Sequence, residues 1–177
     1  MIYNSCFDII GPIMVGPSSS HTAGAVSIGK FVYDYLGCMP ESVQIVFYDS
    51  FAQTYRGHGT DKAIVGGLLG LETDDLRIRH ARELAEEAGV EVGFTLADMC
   101  PFYLHPNTVL ITASVGDRQV NIGGASLGGG ISTIAYINGH VVDIPLNVPY
   151  DLERIRQQTE LLQLESTGRE MAWTSQQ

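Results

Sequence analysis

The chain reads as an α+β protein, with helices packed on a mostly antiparallel sheet, and three observations predict it. Helical apolar stripes occupy the first half, at Ala25, Ile28, Val32, Tyr35 and Leu36 and again across 73–88. Short runs rich in β-branched and aromatic residues occupy the second half, at 108–115, 118–126, 131–138 and 140–144. Two of the joints between those runs, Gly116–Asp117 and Asn138–Gly139, are tight-turn pairs that return one strand antiparallel to the last.

Taken in order, a helix is expected from His21, at the end of GPSSSHTAG (16–24), to Leu36, where Gly37 stops it. SVQIVFY (42–48) reads as a strand. The segment 49–70 opens and closes as helix, with Gly57 and Gly59 interrupting it and Thr60 or Asp61 capping a second helix that runs to Leu69. TDDLRIRHARELAEEA (73–88) has an acidic cap, and Gly89 stops it, so one helix is expected there. A strand at 90–96 follows, then the four strand candidates above. The segment 149–166 reads as a polar terminal helix that frays afterwards. A length of 177 residues fits one domain, 1–148, followed by a C-terminal helix and tail, 149–177.

A hydrophobic content of 45 % allows a sizeable core, and mean hydropathy is slightly positive at +0.09. A net charge of −10 and a pI near 4.7 argue against nucleic acid or an anionic membrane as partner. No apolar run approaches the roughly 18–20 residues that span a bilayer. The first residues, MIYNSCFDIIGP, lack the basic region and cleavage site of a signal peptide, so a cytoplasmic protein is the expectation. Cys6, Cys38 and Cys100 are widely spaced, with no CxxC, and read as free structural thiols rather than as a metal site.

Three segments carry residue types that chemistry uses. In GPSSSHTAG, the unpaired N–H groups and partial positive charge of a helix start would meet Ser18, Ser19, Ser20 and Thr22, which suits a carboxylate or phosphate. His21 adds a group that can move a proton near neutral pH. The competing reading is a helix with surplus capping residues. In YRGHGTDKA (55–63), glycines flank His58 and Arg56 supplies a forked donor for carboxylate, against the plainer reading of a turn histidine. GGASLGGG (123–130) lies between two strands, without the Gly-Lys-Ser/Thr and helix of a P-loop. It reads either as a bulged hairpin or as a loop whose N–H groups line a pocket, with Gly128, Gly129 and Gly130 as its wall. His105 reads as a loop residue, His80 as a solvated helix residue and His140 as a hairpin residue.

With those motifs in order, the chain resembles the β chain of the bacterial iron–sulfur L-serine dehydratase family. The resemblance rests on GPSSSHTAG (16–24), RGHGTD (56–61) with AIVGGLLG (63–70), HPNT (105–108) and SLGGG (126–130), and covers about Phe7 to Asp143. GPSSSHT is the specific part. The resemblance implies conversion of L-serine to pyruvate and ammonia with a [4Fe–4S] cluster and no pyridoxal phosphate. The cluster's cysteines are implied to sit on a partner α chain, or on the C-terminal half of a fused protein. It further implies a fold similar to the small substrate-binding domain of some phosphoglycerate dehydrogenases. Under it, Ser18, Ser19, Ser20, Thr22 and Arg56 bind substrate carboxylate, and Gly128, Gly129 and Gly130 shape the pocket. His21 and His58 are the candidates for proton transfer, neither preferred as base. A homodimer in isolation is a further expectation. Many family β chains end in an ACT regulatory domain, and the 27 residues after Tyr150 are too few for one. The alternative is a non-catalytic module in which the same cradle senses serine or another small anion and regulates the α chain.

Overall fold

The structure is a computed structural model that describes the backbone of residues 19–174 and side chains over 22–163. Among the described residues, five helices, one 3-10 turn and six strands follow the order α1 (Ser19–Leu36), β1 (Ser42–Tyr48), α2 (Asp49–Thr54), α3 (Thr60–Leu68), a 3-10 turn (Leu76–His80), α4 (Ala81–Glu87), β2 (Glu91–Ala97), β3 (Thr108–Val115), β4 (Arg118–Gly128), β5 (Ile131–Ile137), β6 (His140–Pro145) and α5 (Leu152–Thr174). The strands form one sheet in the order β2-β1-β3-β4-β5-β6. Every neighbouring pair is antiparallel except β1 with β2, which run parallel. The α+β reading therefore holds, with one addition. The chain leaves β1, passes through α2, α3 and α4, and returns as a parallel crossover.

The alternation of side chains along a strand decides what the helices cover. Val43, Ile45 and Phe47 of β1, Val109, Ile111 and Ala113 of β3, and Val120 and Ile122 of β4 are buried. They join Ile28, Phe31 and Val32 of α1 and Ile64 and Leu68 of α3 in one core. The alternate residues Gln44, Thr112 and Asn121 stay partly or fully exposed, and Thr112 donates its hydroxyl to Asn121 Oδ1 at 2.7 Å.

Helices α1 and α3 touch backbone to backbone. A Cβ on Gly29 would collide with the Ile64 carbonyl oxygen, and one on Gly67 would collide with the Val26 carbonyl oxygen. Only glycine permits that approach, which the sequence displays as GG within AIVGGLLG without saying which helix it meets.

Two capping expectations change. Gly59, with left-handed φ of 68°, precedes α3 and makes no side-chain cap, so Thr60 and Asp61 lie inside the first turn and are buried. The segment 73–88 is not one helix. Asp75 accepts from Arg77 N–H at 2.9 Å and starts a 3-10 turn, with α4 following from Ala81. Hydrogen bonds from the Arg77 side chain and backbone hold the Asp75 carboxyl down at about 2. With its own backbone extended, Asp75 stands outside the turn as its cap, so no helix runs through 73–75.

The terminal helix α5 runs to Thr174, where fraying was expected after 166. It is fastened to the end of α1. Arg156 donates to the Asp34 and Tyr35 carbonyl oxygens at 2.6 and 3.0 Å, and Arg118 donates to the Leu36 carbonyl at 3.2 Å. Two arginines thus satisfy the last carbonyls of α1 and complement its negative pole. The hydroxyls of Tyr35 and Thr159 meet at 2.7 Å in the same contact. Arg156→Ala is expected to cost about 1–2 kcal/mol, the worth of a charged donor on backbone acceptors at a partly exposed site. Urea unfolding measures it, and an unchanged midpoint would mean that α5 is not docked in solution.

Candidate functional site

The topology gathers the sequence motifs at one end of the sheet. Strands β1, β2 and β4 finish there, and β3 and β5 start there. The first turns of α1 lie at this end, since a Cβ on Gly24 would meet Ser126 Oγ of β4 and come within 3.3 Å of the Ile131 carbonyl oxygen of β5. Thr22 is buried, and its hydroxyl donates to the His58 carbonyl oxygen at 3.3 Å. That single bond ties the start of α1 to the glycine-flanked loop before α3.

The loop after β2 completes the set. Asn107 N–H donates to His105 Nδ1 at 3.2 Å, and Thr108 Oγ1 donates to the His105 carbonyl at 2.6 Å, which locks the HPNT turn. From that turn Pro106 accepts from Phe51 N–H at 3.2 Å, and Asn107 accepts from Ser126 N–H at 3.0 Å. HPNT thus bridges the start of α2 to the end of β4. His105 was expected to be a loop residue, and the structure gives the loop a bracing task.

Of the named site residues, Ser18 lies outside the described residues, as do the side chains of Ser19, Ser20 and His21, whose backbone begins α1. His58 is exposed beside Gly59. Arg56 is exposed, with its guanidinium 5.5 Å from the centre of the Tyr55 ring. Gly128, Gly129 and Gly130 all have positive φ and form the connection between β4 and β5. His80 is exposed at the start of α4, and His140 opens β6 at the opposite end of the sheet. Neither belongs to the cluster.

Residues that spacing did not single out also stand here. Tyr48, at the end of β1, and Cys100, in the loop itself, are buried, and burial raises the pKa of both above its ordinary value. Phe102 stacks on Tyr136 with ring centres 4.7 Å apart, and it fills the space a side chain on Gly123 would need. Ser126 belongs to the SLGGG motif, but nothing in its spacing marks the hydroxyl as special. Asp61 is buried with Arg82 at 3.4 Å, and Arg82 lies over the Phe94 ring, so the start of α3 is fastened to α4 and β2.

As for a cofactor, no group of three or more His, Cys, Asp or Glu among the described residues could hold a metal ion. Cys38 follows α1 at the far end from Cys100, so those two thiols do not fit a shared cluster. Cys6 lies outside the described residues. No helix among them is long and apolar enough to cross a membrane.

A helix N-terminus, a glycine-flanked histidine and a glycine turn thus come together at one end of the sheet. Residues 5–115 match the family model described as "Serine dehydratase beta chain", and the chain belongs to that family. It is 48 % identical over 149 residues to the "Probable L-serine dehydratase, beta chain" of Bacillus subtilis, covering 84 % of this chain and 67 % of that protein. It is 45 % identical over 141 residues to the "L-serine dehydratase, beta chain" of Peptoniphilus asaccharolyticus, covering 78 % and 63 %. "L-serine dehydratase 2" of Escherichia coli is 33 % identical over 185 residues, covering 89 % of this chain and 40 % of that protein. The chain thus spans about two thirds of the β chains and two fifths of the E. coli protein.

Proposed function

We propose that this chain is the β subunit of an L-serine dehydratase, a lyase that converts L-serine to pyruvate and ammonia. The observation that carries the reading is the bond from Thr22 to the His58 carbonyl, which sets a histidine beside a helix N-terminus rich in hydroxyls. Anion capture alone needs no imidazole, whereas removal of an α-proton needs a base, the role a histidine fills most often.

In this reading the carboxylate of L-serine rests on the first N–H groups of α1, with Ser18, Ser19 and Ser20 as added donors and Arg56 as a forked cation nearby. Thr22, in the same first turns, holds the His58 loop through its hydroxyl. His58 or His21 takes the α-proton, and Gly128, Gly129 and Gly130 form the opposite wall. The [4Fe–4S] cluster belongs to a partner α chain, where it supplies Lewis-acid chemistry at the substrate hydroxyl. This chain's own part is to bind, orient and move the proton. Residues 1–148 form the substrate-holding unit, α5 and the tail are its appendage, and the assembled enzyme is cytoplasmic.

Anaerobic co-expression with the presumed α chain, followed by a pyruvate assay on L-serine, tests the reading. Activity only from the pair is expected. Full activity from the α chain alone would overturn it and leave the cradle as an effector site.

A further inference from the structure

Ser126 is fully buried near the end of β4, and its hydroxyl has no hydrogen-bond partner. Its cross-strand neighbour Ser132 on β5 is buried in the same way, and its hydroxyl is also unpaired. Among the described residues no other buried side-chain nitrogen or oxygen is left so. A hydroxyl removed from water without a partner works against folding, and folded proteins keep few of them. Alanine would fill either position without that penalty, so packing does not account for two hydroxyls side by side.

Their placement offers a reason. Ser126 Oγ is directed at α1, where a Cβ on Gly24 would collide with it, and Gly24 lies just beyond the first turn. Its backbone is fixed from the other side, through the N–H to Asn107 and the locked HPNT turn. The adjoining tip borders open space, since Cβ atoms on Gly128 or Gly129 would meet nothing within 4 Å.

We infer that Ser126 is a further ligand-binding residue of this site, whose Oγ–H donates to the carboxylate of a small α-amino acid held at the α1 N-terminus, with Ser132 as its support. A hydroxyl beside a positive helix pole and free N–H groups acts as one more donor, and a carboxylate oxygen is the acceptor that suits all three. The inference rests on the site reading proposed above and adds a donor from the sheet to those of the helix.

The test uses the chain assembled with its α chain, in the wild-type, Ser126→Ala and Ser132→Ala forms. Each is measured for L-serine saturation, for calorimetric L-serine binding and for melting temperature. Ser126→Ala is expected to raise KM about tenfold and leave kcat within about twofold, as loss of one hydrogen bond to a charged group does. Its melting temperature should be equal or higher, because an unpaired hydroxyl is removed, and Ser132→Ala should shift KM less in the same direction. A Ser126→Ala KM within about twofold of wild type would overturn the inference and leave the dehydratase reading intact. If the wild-type pair makes no pyruvate, the dehydratase reading fails and calorimetry decides the rest. L-serine affinity weakened about tenfold by Ser126→Ala would then sustain the inference, while equal affinity or no binding would overturn it.

Discussion

Replacing His58 with alanine in the assembled enzyme is expected to lower kcat by about 10²–10⁴-fold, the usual contribution of a positioned acid or base. Assembly and melting temperature should stay at wild-type values. His58 is exposed, and the loop that carries it is held by backbone atoms, with His58 N–H on the Thr54 carbonyl at 3.0 Å and the His58 carbonyl on Thr22. Neither bond needs the imidazole. Thr22→Val removes the hydroxyl that holds the loop and keeps the imidazole, so it should lower turnover less and raise the mobility of 55–59. Comparing pyruvate formation in His58→Ala and His21→Ala separates the two candidates. Wild-type turnover from His58→Ala would remove that residue from the proton path and leave His21.

The second large effect concerns folding. Gly67→Val is expected to destabilise the chain by about 3 kcal/mol or more, since overpacking a tight contact forces backbone rather than side chains to move. The nearest atoms to a Cβ at Gly67 are the Val26 carbonyl oxygen, the Lys30 nitrogen and a backbone carbon of Gly29. Gly66→Ala is the contrast. Its Cβ would meet mainly the Ile78 side chain at 3.1 Å, which can turn aside, and alanine favours helix over glycine. Its effect should stay within about 1 kcal/mol of neutral by that helix preference. Thermal unfolding followed by circular dichroism compares the two, and similar melting points would refute a backbone contact between α1 and α3.

The start of α1 feels both variants differently. His58→Ala is expected to leave the helix where it is and to remove the proposed proton carrier beside it. Gly67→Val pushes α1 away from α3 and so moves the whole cradle off β4 and β5. Loss of activity with an intact melt and loss of activity with a collapsed melt therefore report separate links from structure to chemistry.

Most elements were legible because local pattern alone sets them. SVQIVFY and TVLITASV became β1 and β3 at their expected bounds, since alternating β-branched residues suit a sheet with one covered face. Gly37, with φ of 80°, ended α1 where its spacing said it would. The segment 73–88 misled because Asp75 satisfies the Arg77 N–H and side chain at once, a competition that helical periodicity does not register. The parallel pairing of β1 with β2 was not legible either, for strand pattern carries no direction.

By itself, then, the sequence determined the α+β class, most strand bounds, the acidic character and the family, because each depends on residue type and spacing along the chain. The motif GPSSSHTAG marked a helix start without any coordinates. Only the tertiary structure decided that His58, HPNT and SLGGG meet that helix start at one end of the sheet, and that His140 lies at the other. It also decided that Ser126 and Ser132 are buried without partners. The reason is that contacts between residues 22 and 58, or 107 and 126, depend on strand order and on a close helix crossing. Those are properties of the whole packed chain, set when every apolar face finds its cover, and no local stretch encodes them.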